Sequence, residues 1–223
     1  ATTQALKTGQ SVTQSYVVRV TDDFGATADQ TVTVTINGSN DLAVVTNGAA
    51  DAAGAVTEAG SLDNGTAVAG TSSVTGALSV SDVDANTTQA WSIVGTPSST
   101  YGTFSLNATT GAWSYVLDNS LATTQALKEG EVVTQTFTVR ATDDQAATVD
   151  QVVTVTINGT NDVPVVTNLD AAKAGAVTEV GTGVAGTAVA TGTLTSSDVD
   201  AAATKAWSIV GTPSSTYGTF AVD

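Results

Sequence analysis

Cysteine, histidine and methionine are all absent from the chain. The first absence excludes disulfides and thiolate metal sites, and the second removes imidazole ligands and the commonest general base, so any bound metal must be held by oxygen. Positive charge is scarce: 6 Lys and Arg stand against 21 Asp and Glu, a formal charge of −15. Such a surface repels polyanions and argues against nucleic acid as a partner. Proline (3 residues) and aromatics (5%) are few, and no apolar run reaches membrane-spanning length. The chain opens at Ala1 with no initiator methionine and no leader, so the expectation is a stretch internal to a longer protein or separately tagged, with targeting signals outside it and no membrane insertion of its own.

What the chain has in quantity is aspartate, threonine, valine and repetition. Of the 21 acids, 17 are Asp and 4 are Glu, a skew towards the short carboxylate that sits in turns and chelates hard cations. WSIVGTPSSTYGTF at 91–104 recurs unchanged at 207–220, and ATTQALK at 1–7 recurs at 122–128. NGSND at 37–41 matches NGTND at 158–162, a shift of 121; from SDVDA (81–85 and 197–201) onward the shift is 116, because the segment after Glu58 is five residues longer than the one after Glu179. That insertion predicts a loop. The repeat boundaries fall after Asp41 and Asp162, so residues 1–41 are the end of one module, 42–162 a complete one and 163–223 the start of a third. Modules of over 100 residues can build a core without disulfides.

Within the complete module the hydrophobic period is two. Val133, Gln135, Phe137 and Val139 alternate with Thr134, Thr136, Thr138 and Arg140, and Val153, Val155 and Ile157 alternate with Thr154 and Thr156. Further strands are expected over 75–80, 89–94, 101–106 and 112–117, punctuated by Gly, Asn, Asp and Ser. One short helical turn is expected near 121–128, and Val56–Glu58 and Val177–Glu179 read as loosely paired first strands. The fold class is all-β, with β-sandwich modules joined end to end.

Calcium needs six to eight oxygens, so one Asp-x-Asp is insufficient and distant carboxylates must converge. SDVDA precedes the AWSIV strand and lies at one pole of its sandwich; NGTND follows the last strand and lies at the other pole, beside the SDVDA pole of the next module. The order VTE, SDVDA, LDNS (117–120), ATDD (141–144) and NGTND followed by VPVV resembles the cadherin family, whose modules carry an early Glu, an Asp-x-Asp, an LDRE motif, an A-x-D-x-G turn and a DxNDN linker. The chain is similar over almost its whole length to the bacterial VCBS repeats of large RTX-type adhesins, which read much like GTLTVSDVDA, WSVVG, YGTFSLDATTGAWTYTLDN and VTVTINGTNDAPV. The resemblance implies a cadherin-like, Ig-like sandwich, a secreted or bacterial cell-surface setting, and Ca2+ at the joints.

Carried over position by position, the resemblance implies one joint built from Glu58, Asp118, Asn161 and Asp162 with Asp198 and Asp200. A second draws on Asn40, Asp41, Asp82, Asp84 and one of Asp143 or Asp144. Ser120 stands where LDRE has Glu, and NGTND lacks the first linker Asp. Those departures argue against a three-ion cluster and leave one or two ions per joint, with affinities of roughly 10⁻⁴ to 10⁻³ M. The bland alternatives are an Asx turn for NGTND and a solvated loop for SDVDA.

No nucleophile stands beside a base and no phosphate loop is present, so the expectation is a structural extender, not an enzyme. Its partners are then neighbouring repeats of the same chain, surface glycans, or other copies of itself. Trp91, Trp113 and Trp207 could form a sugar-stacking platform, but Ile and Val flank Trp91 and Trp207, and core packing is expected there, as for Tyr101, Phe104, Tyr217 and Phe220.

Overall fold

A computed structural model describes residues 3–62 and 64–223. The first two residues of the ATTQALK repeat and Asp63 lie outside the described residues. By its contacts the chain divides into two units, the first comprising residues up to Val56, Ser72–Asp118 and Val133–Ile157, the second Thr57–Thr71, Asn119–Val132 and Asn158–Asp223.

The first unit opens with a hairpin of β1 (Ser11–Thr21) and β2 (Thr27–Asn37), which form a two-stranded sheet. There follow β3 (Val44–Val45), β4 (Ala53–Thr57), the short β5 (Gly60–Ser61) and β6 (Ala67–Val68) of the second unit, and then β7 (Ser73–Ala77), β8 (Val80–Ser81) and β9 (Gln89–Ile93). The series continues with β10 (Gly102–Leu106), β11 (Ala112–Leu117), β12 (Val132–Asp143) and β13 (Thr148–Asn158). A four-stranded sheet in the order β4-β13-β12-β9 and a three-stranded sheet in the order β10-β11-β7 supply the two faces of a sandwich. The alternating runs at 133–139 and 153–157 and the strands expected over 89–94, 101–106 and 112–117 are present, whereas that expected over 75–80 breaks at Leu78 and Ser79 between β7 and β8, and of Val177–Glu179 only Thr178 makes a bridge, to Thr187; β3 with β8 adds a small ribbon.

The alternation decides which side chains fill the core. Phe137, Val139, Ala141, Val153, Val155 and Ile157 are buried, while Arg140 and Asp150 face outward and pair at 2.6 and 2.8 Å. Phe104 stacks on Phe137 with centroids 4.3 Å apart, and Trp113 and Tyr115 pack around them. Both polar tips are satisfied: the Trp113 indole donates to the Asp51 carbonyl at 2.8 Å, and Tyr115 donates to Gln135 at 2.7 Å. Trp91 is buried as well. The hairpin β1–β2 repeats the outward pattern, with Arg19 paired to Asp29 at 2.6 and 2.7 Å.

In the second unit the five extra residues after Glu58 extend a ribbon. Gly60 pairs with Val68, whereas the corresponding Gly181 bridges Val184. The helical turn narrows to α1 (Ala122–Gln125). Residues 163–223 hold only β14 (Val165–Val166) and β15 (Ser196–Ser197) among the described residues, with a 3₁₀ turn at Asp170–Lys173. Here the expectation of core packing fails: Tyr217 and Phe220 are exposed, and the second WSIV forms no strand. Its first copy, β9, is held by β12 through the register Val139↔Ile93 to Asp143↔Gln89, and residues 163–223 contain no counterpart of β12.

Candidate functional site

The first unit holds Asn40, Asp41, Asp82, Asp84 and Asp143, the second holds Glu58, Asn161, Asp162, Asp198 and Asp200 without Asp118, and the wiring between the Asp-x-Asp and N-D motifs is the same in both. In the first unit the Asp41 amide donates to Asp84 Oδ2 at 2.8 Å, and the Asp84 amide donates to Asp82 Oδ1 at 2.9 Å. In the second the Asp162 amide donates to Asp200 Oδ2 at 2.9 Å, and the Asp200 amide to Asp198 Oδ1 at 3.1 Å. The Asp-x-Asp loop therefore folds on itself and reaches across to the N-D pair. Each loop turns through a left-handed residue at the same repeat position, Asn86 (φ 56°) and Ala202 (φ 57°).

These bonds satisfy one oxygen of each carboxylate and leave the other. Asp84, Asp143 and Asp200 are only 4%, 6% and 8% exposed. Asp82 Oδ2, Asp84 Oδ1, Asp162 Oδ2 and Asp200 Oδ1, with the Asn40 amide oxygen, are buried without a hydrogen-bond partner. All five are acceptors, all belong to residues expected at the joints, and a buried unsatisfied acceptor costs about 1–3 kcal/mol, more if charged. Among the described residues no three acidic side chains stand close enough to form a metal site by themselves. Carboxylate oxygens would have to be completed by amide and main-chain carbonyl oxygens, which is the mixed donor set a hard cation accepts. The residues present therefore fit an oxygen-ligated divalent cation.

Asp143 and Asp144 differ in their surroundings. Asp143 Oδ1 accepts the amides of Gln145 (2.9 Å) and Ala147 (2.8 Å), which ties the β12–β13 turn, and its Oδ2 accepts from the Asn40 side chain at 3.0 Å. Asp144 turns away to pair with Lys7. Burial pushes the Asp143 carboxyl up, but the hydrogen bonds from Asn40, Ala147 and Gln145 outweigh it and hold it below the ordinary carboxylate value.

Glu58, fully buried, behaves oppositely. Its carboxylate accepts long bonds from Gln125 Nε2 and the Thr160 amide, both 3.3 Å. Desolvation pushes its pKa up to about 7, and the Asp162, Asp200 and Glu131 carboxylates add to the rise. Asp162 is also raised, by burial and then by Asp200 and Asp198. Asp118 belongs to the first unit, where it is exposed just past β11 with its amide donating to the Tyr101 carbonyl at 2.9 Å.

Sequence reading missed three residues that position Glu58. Asn119 clamps the next residue, Ala59, through both its amide N–H (3.1 Å) and its carbonyl (3.1 Å). Thr160 and Gln125 hold the carboxylate itself. The signal available was that LDNS and ATTQALK carry amides at fixed distances from the acids. An open pocket of about 280 Å³ lined by Asn161, Asp162, Asp198, Lys205 and Trp207 lies beside this set and admits solvent.

A model of the bacterial cadherin-like domain matches residues 40–159, more than half of the chain. The chain belongs to the bacterial cadherin-like family. Solved structures similar to this cadherin-like chain include Drosophila N-cadherin EC1-4, at 13% identity and TM-score 0.41 over 74% of this chain and 37% of that one. The extracellular cadherin domains 1-4 of protocadherin gamma B7 give 15% and 0.37 over 72% and 45%, and mouse cadherin-23 EC22-24 gives 12% and 0.33 over 70% and 43%. The cadherin-like chain thus spans less than half the length of each, and scores this low bear no functional weight. No curated protein matches it significantly. Among the described residues no helix is long and apolar enough to cross a membrane.

Proposed function

We propose that this chain is a stretch of the extender of a secreted bacterial surface adhesin of the VCBS type. In this reading 1–41, 42–162 and 163–223 are successive parts of tandem modules, and calcium stiffens the joints between them. The observation that carries it is the duplicated wiring: two repeat-related sets of buried acids, each with unpartnered oxygens on residues of the Asp-x-Asp and N-D motifs.

The residues act as follows. Main-chain amides of Asp41 and Asp162 hold one oxygen of Asp84 and Asp200, so the second oxygen is fixed in place before any ligand arrives. Asn40 and Asp143 complete the first set, and Glu58, Asn161 and Asp198 the second. A bound divalent cation supplies positive charge where the fold has concentrated negative charge. Without it the facing carboxylates repel and the joint bends more freely; stiffness then depends on calcium, which suits an extender exposed to the medium.

A sugar platform has no support in the complete module, since Trp91 and Trp113 are buried. Small-angle scattering of the 223-residue chain should give a longer, narrower particle in millimolar calcium than in chelator, and superimposable profiles would refute the joint model. Replacing Asp198 and Asp200 by Asn should remove calcium uptake at the second set and leave the first unit's melt unchanged.

A further inference from the structure

We infer that the loop of residues 5–8 and its repeat counterpart 126–129 are the surface by which one module docks on the next, a latch that holds each joint in register without metal. The inference rests on reading 1–41, 42–162 and 163–223 as successive modules, and not on calcium. Its first support is a main-chain bond made twice at equivalent places. The Ala85 amide donates to the Ala5 carbonyl at 3.0 Å, and the Ala201 amide donates to the Ala126 carbonyl at 3.0 Å. Ala5 and Ala126 hold the same position of the ATTQALK repeat, and Ala85 and Ala201 each end an SDVDA loop. The same bond between the same two motifs in both units is a property of the repeat, not of one loop.

The second support is how the loop is anchored on both sides. Behind it, the Gln10 carbonyl accepts the Gly38 amide at 2.9 Å, and the Glu131 carbonyl accepts the Gly159 amide at 2.9 Å, so each loop is tied to the end of the last strand of its own module. The Thr8 hydroxyl also accepts the Asn40 amide at 2.9 Å, which fixes the linker. In front, Lys7 pairs with Asp144 of the following module, with the two side chains 17% and 27% exposed. The Asn40 side chain reaches the same turn, donating to Asp143 Oδ2 at 3.0 Å. The loop is thus rigid on its own module and offers the next one a carbonyl and, at the first joint, an ammonium.

This chemistry suits a joint that must hold when no cation is bound. The Ala5 and Ala126 carbonyls are neutral, so they engage the Asp-x-Asp loops through an amide and add no charge to the gathered carboxylates. Lys7 is one of 6 cationic side chains in a chain with 21 acids, and it is placed against Asp144, beside Asp143 of the first set. A partly buried pair of this kind is screened less by salt than a solvated one. Calcium then stiffens a joint whose register the latch has already set, and chelation loosens the joint without releasing it.

The test is amide hydrogen exchange by NMR on the full chain in chelator, read at Ala85 and Ala201. In the wild type both amides should exchange at least about tenfold more slowly than in an unfolded peptide. Lys7→Asp should cut the protection of Ala85 by about threefold or more and leave Ala201, at the other joint, unchanged. Lys7→Asp combined with Asp144→Lys should restore Ala85, since the pair is re-formed with its charges exchanged. Lys7 and Asp144 lie outside the sandwich core, so the complete module folds in each variant. Either amide exchanging at the unfolded rate in chelator, an Ala85 unmoved by Lys7→Asp, a loss felt equally at Ala201, or an exchanged pair that restores nothing would each overturn the inference. Titration calorimetry on the same samples separates it from the calcium reading: both amides protected in chelator with no calcium uptake would refute calcium at the joints and uphold the latch, and protection that appears only with calcium would do the reverse.

Discussion

Glu58→Gln should change sign with calcium, and the structure sets the size of the effect. Glu58 is fully buried, and its pKa rises from the ordinary 4.5 to about 7. At about 1.4 kcal/mol per pH unit, holding it ionised at pH 7 and above costs roughly 3 kcal/mol without metal. The direction follows from proton binding. Between pH 4.5 and 7 the folded chain holds a proton that the unfolded chain has lost, so stability falls as pH rises through that window. Gln has the shape of the protonated form. Its carbonyl can accept from the Thr160 amide, and its NH2 can donate to Gln125 once that amide turns over, so no bond need be lost. In chelator at pH 7.5 the variant should therefore gain about 2–3 kcal/mol, a melting rise of roughly 10 °C for a module of this size. In saturating calcium it should gain little or lose stability, because an anionic ligand has gone. Differential scanning calorimetry of both proteins, with and without calcium at pH 5 and 7.5, reads all of this; the pH 5 difference in chelator should be small. Equal shifts in calcium and chelator would refute the assignment of Glu58 to the cation set, and no shift in chelator would refute the buried-charge argument itself.

For the same reason calcium uptake near pH 6 should release a proton from Glu58 that uptake at pH 8 does not, seen as buffer-dependent heat in titration calorimetry. Phe137→Ala, in the stacked core, should cost about 3–5 kcal/mol by chemical denaturation, and Tyr16→Ala at the same repeat position, 51% exposed, should cost under about 1 kcal/mol in dilute solution. Ala146 holds the β12–β13 turn at φ 68°, where the matching residue in the first hairpin is Gly25; Ala146→Gly should stabilise the module by about 0.5–1 kcal/mol by relieving left-handed strain.

Much of the sandwich was legible because its code is local. Alternation at 133–139 and 153–157 marks which side chains face inward whatever they meet there, and recurrence of SDVDA and N-D marked the acids that the fold would gather. What stayed hidden was relational. Asp143 and Asp144 are adjacent and chemically identical, and only the turn amides on one side and Lys7 on the other assign them different work. Asn119 and Gln125 read as ordinary loop and helix residues until the chain brings them beside Glu58 and Ala59.

The duplicated segment states the division most sharply. Residue order alone dictates the strand period, the absence of thiol and imidazole chemistry, and the positions of the paired acids. It does not dictate whether WSIV is a strand: at 91–94 those residues pair with β12 and bury Trp91, and at 207–210 the same four form no strand among the described residues. Likewise Glu58 is buried beside Asp162 and Asp200, and its counterpart Glu179 lies in solvent. A β-strand satisfies its backbone through neighbours distant in sequence, and a carboxylate takes its pKa from the charges and water around it, so both properties belong to the assembled neighbourhood and not to the residues that carry them.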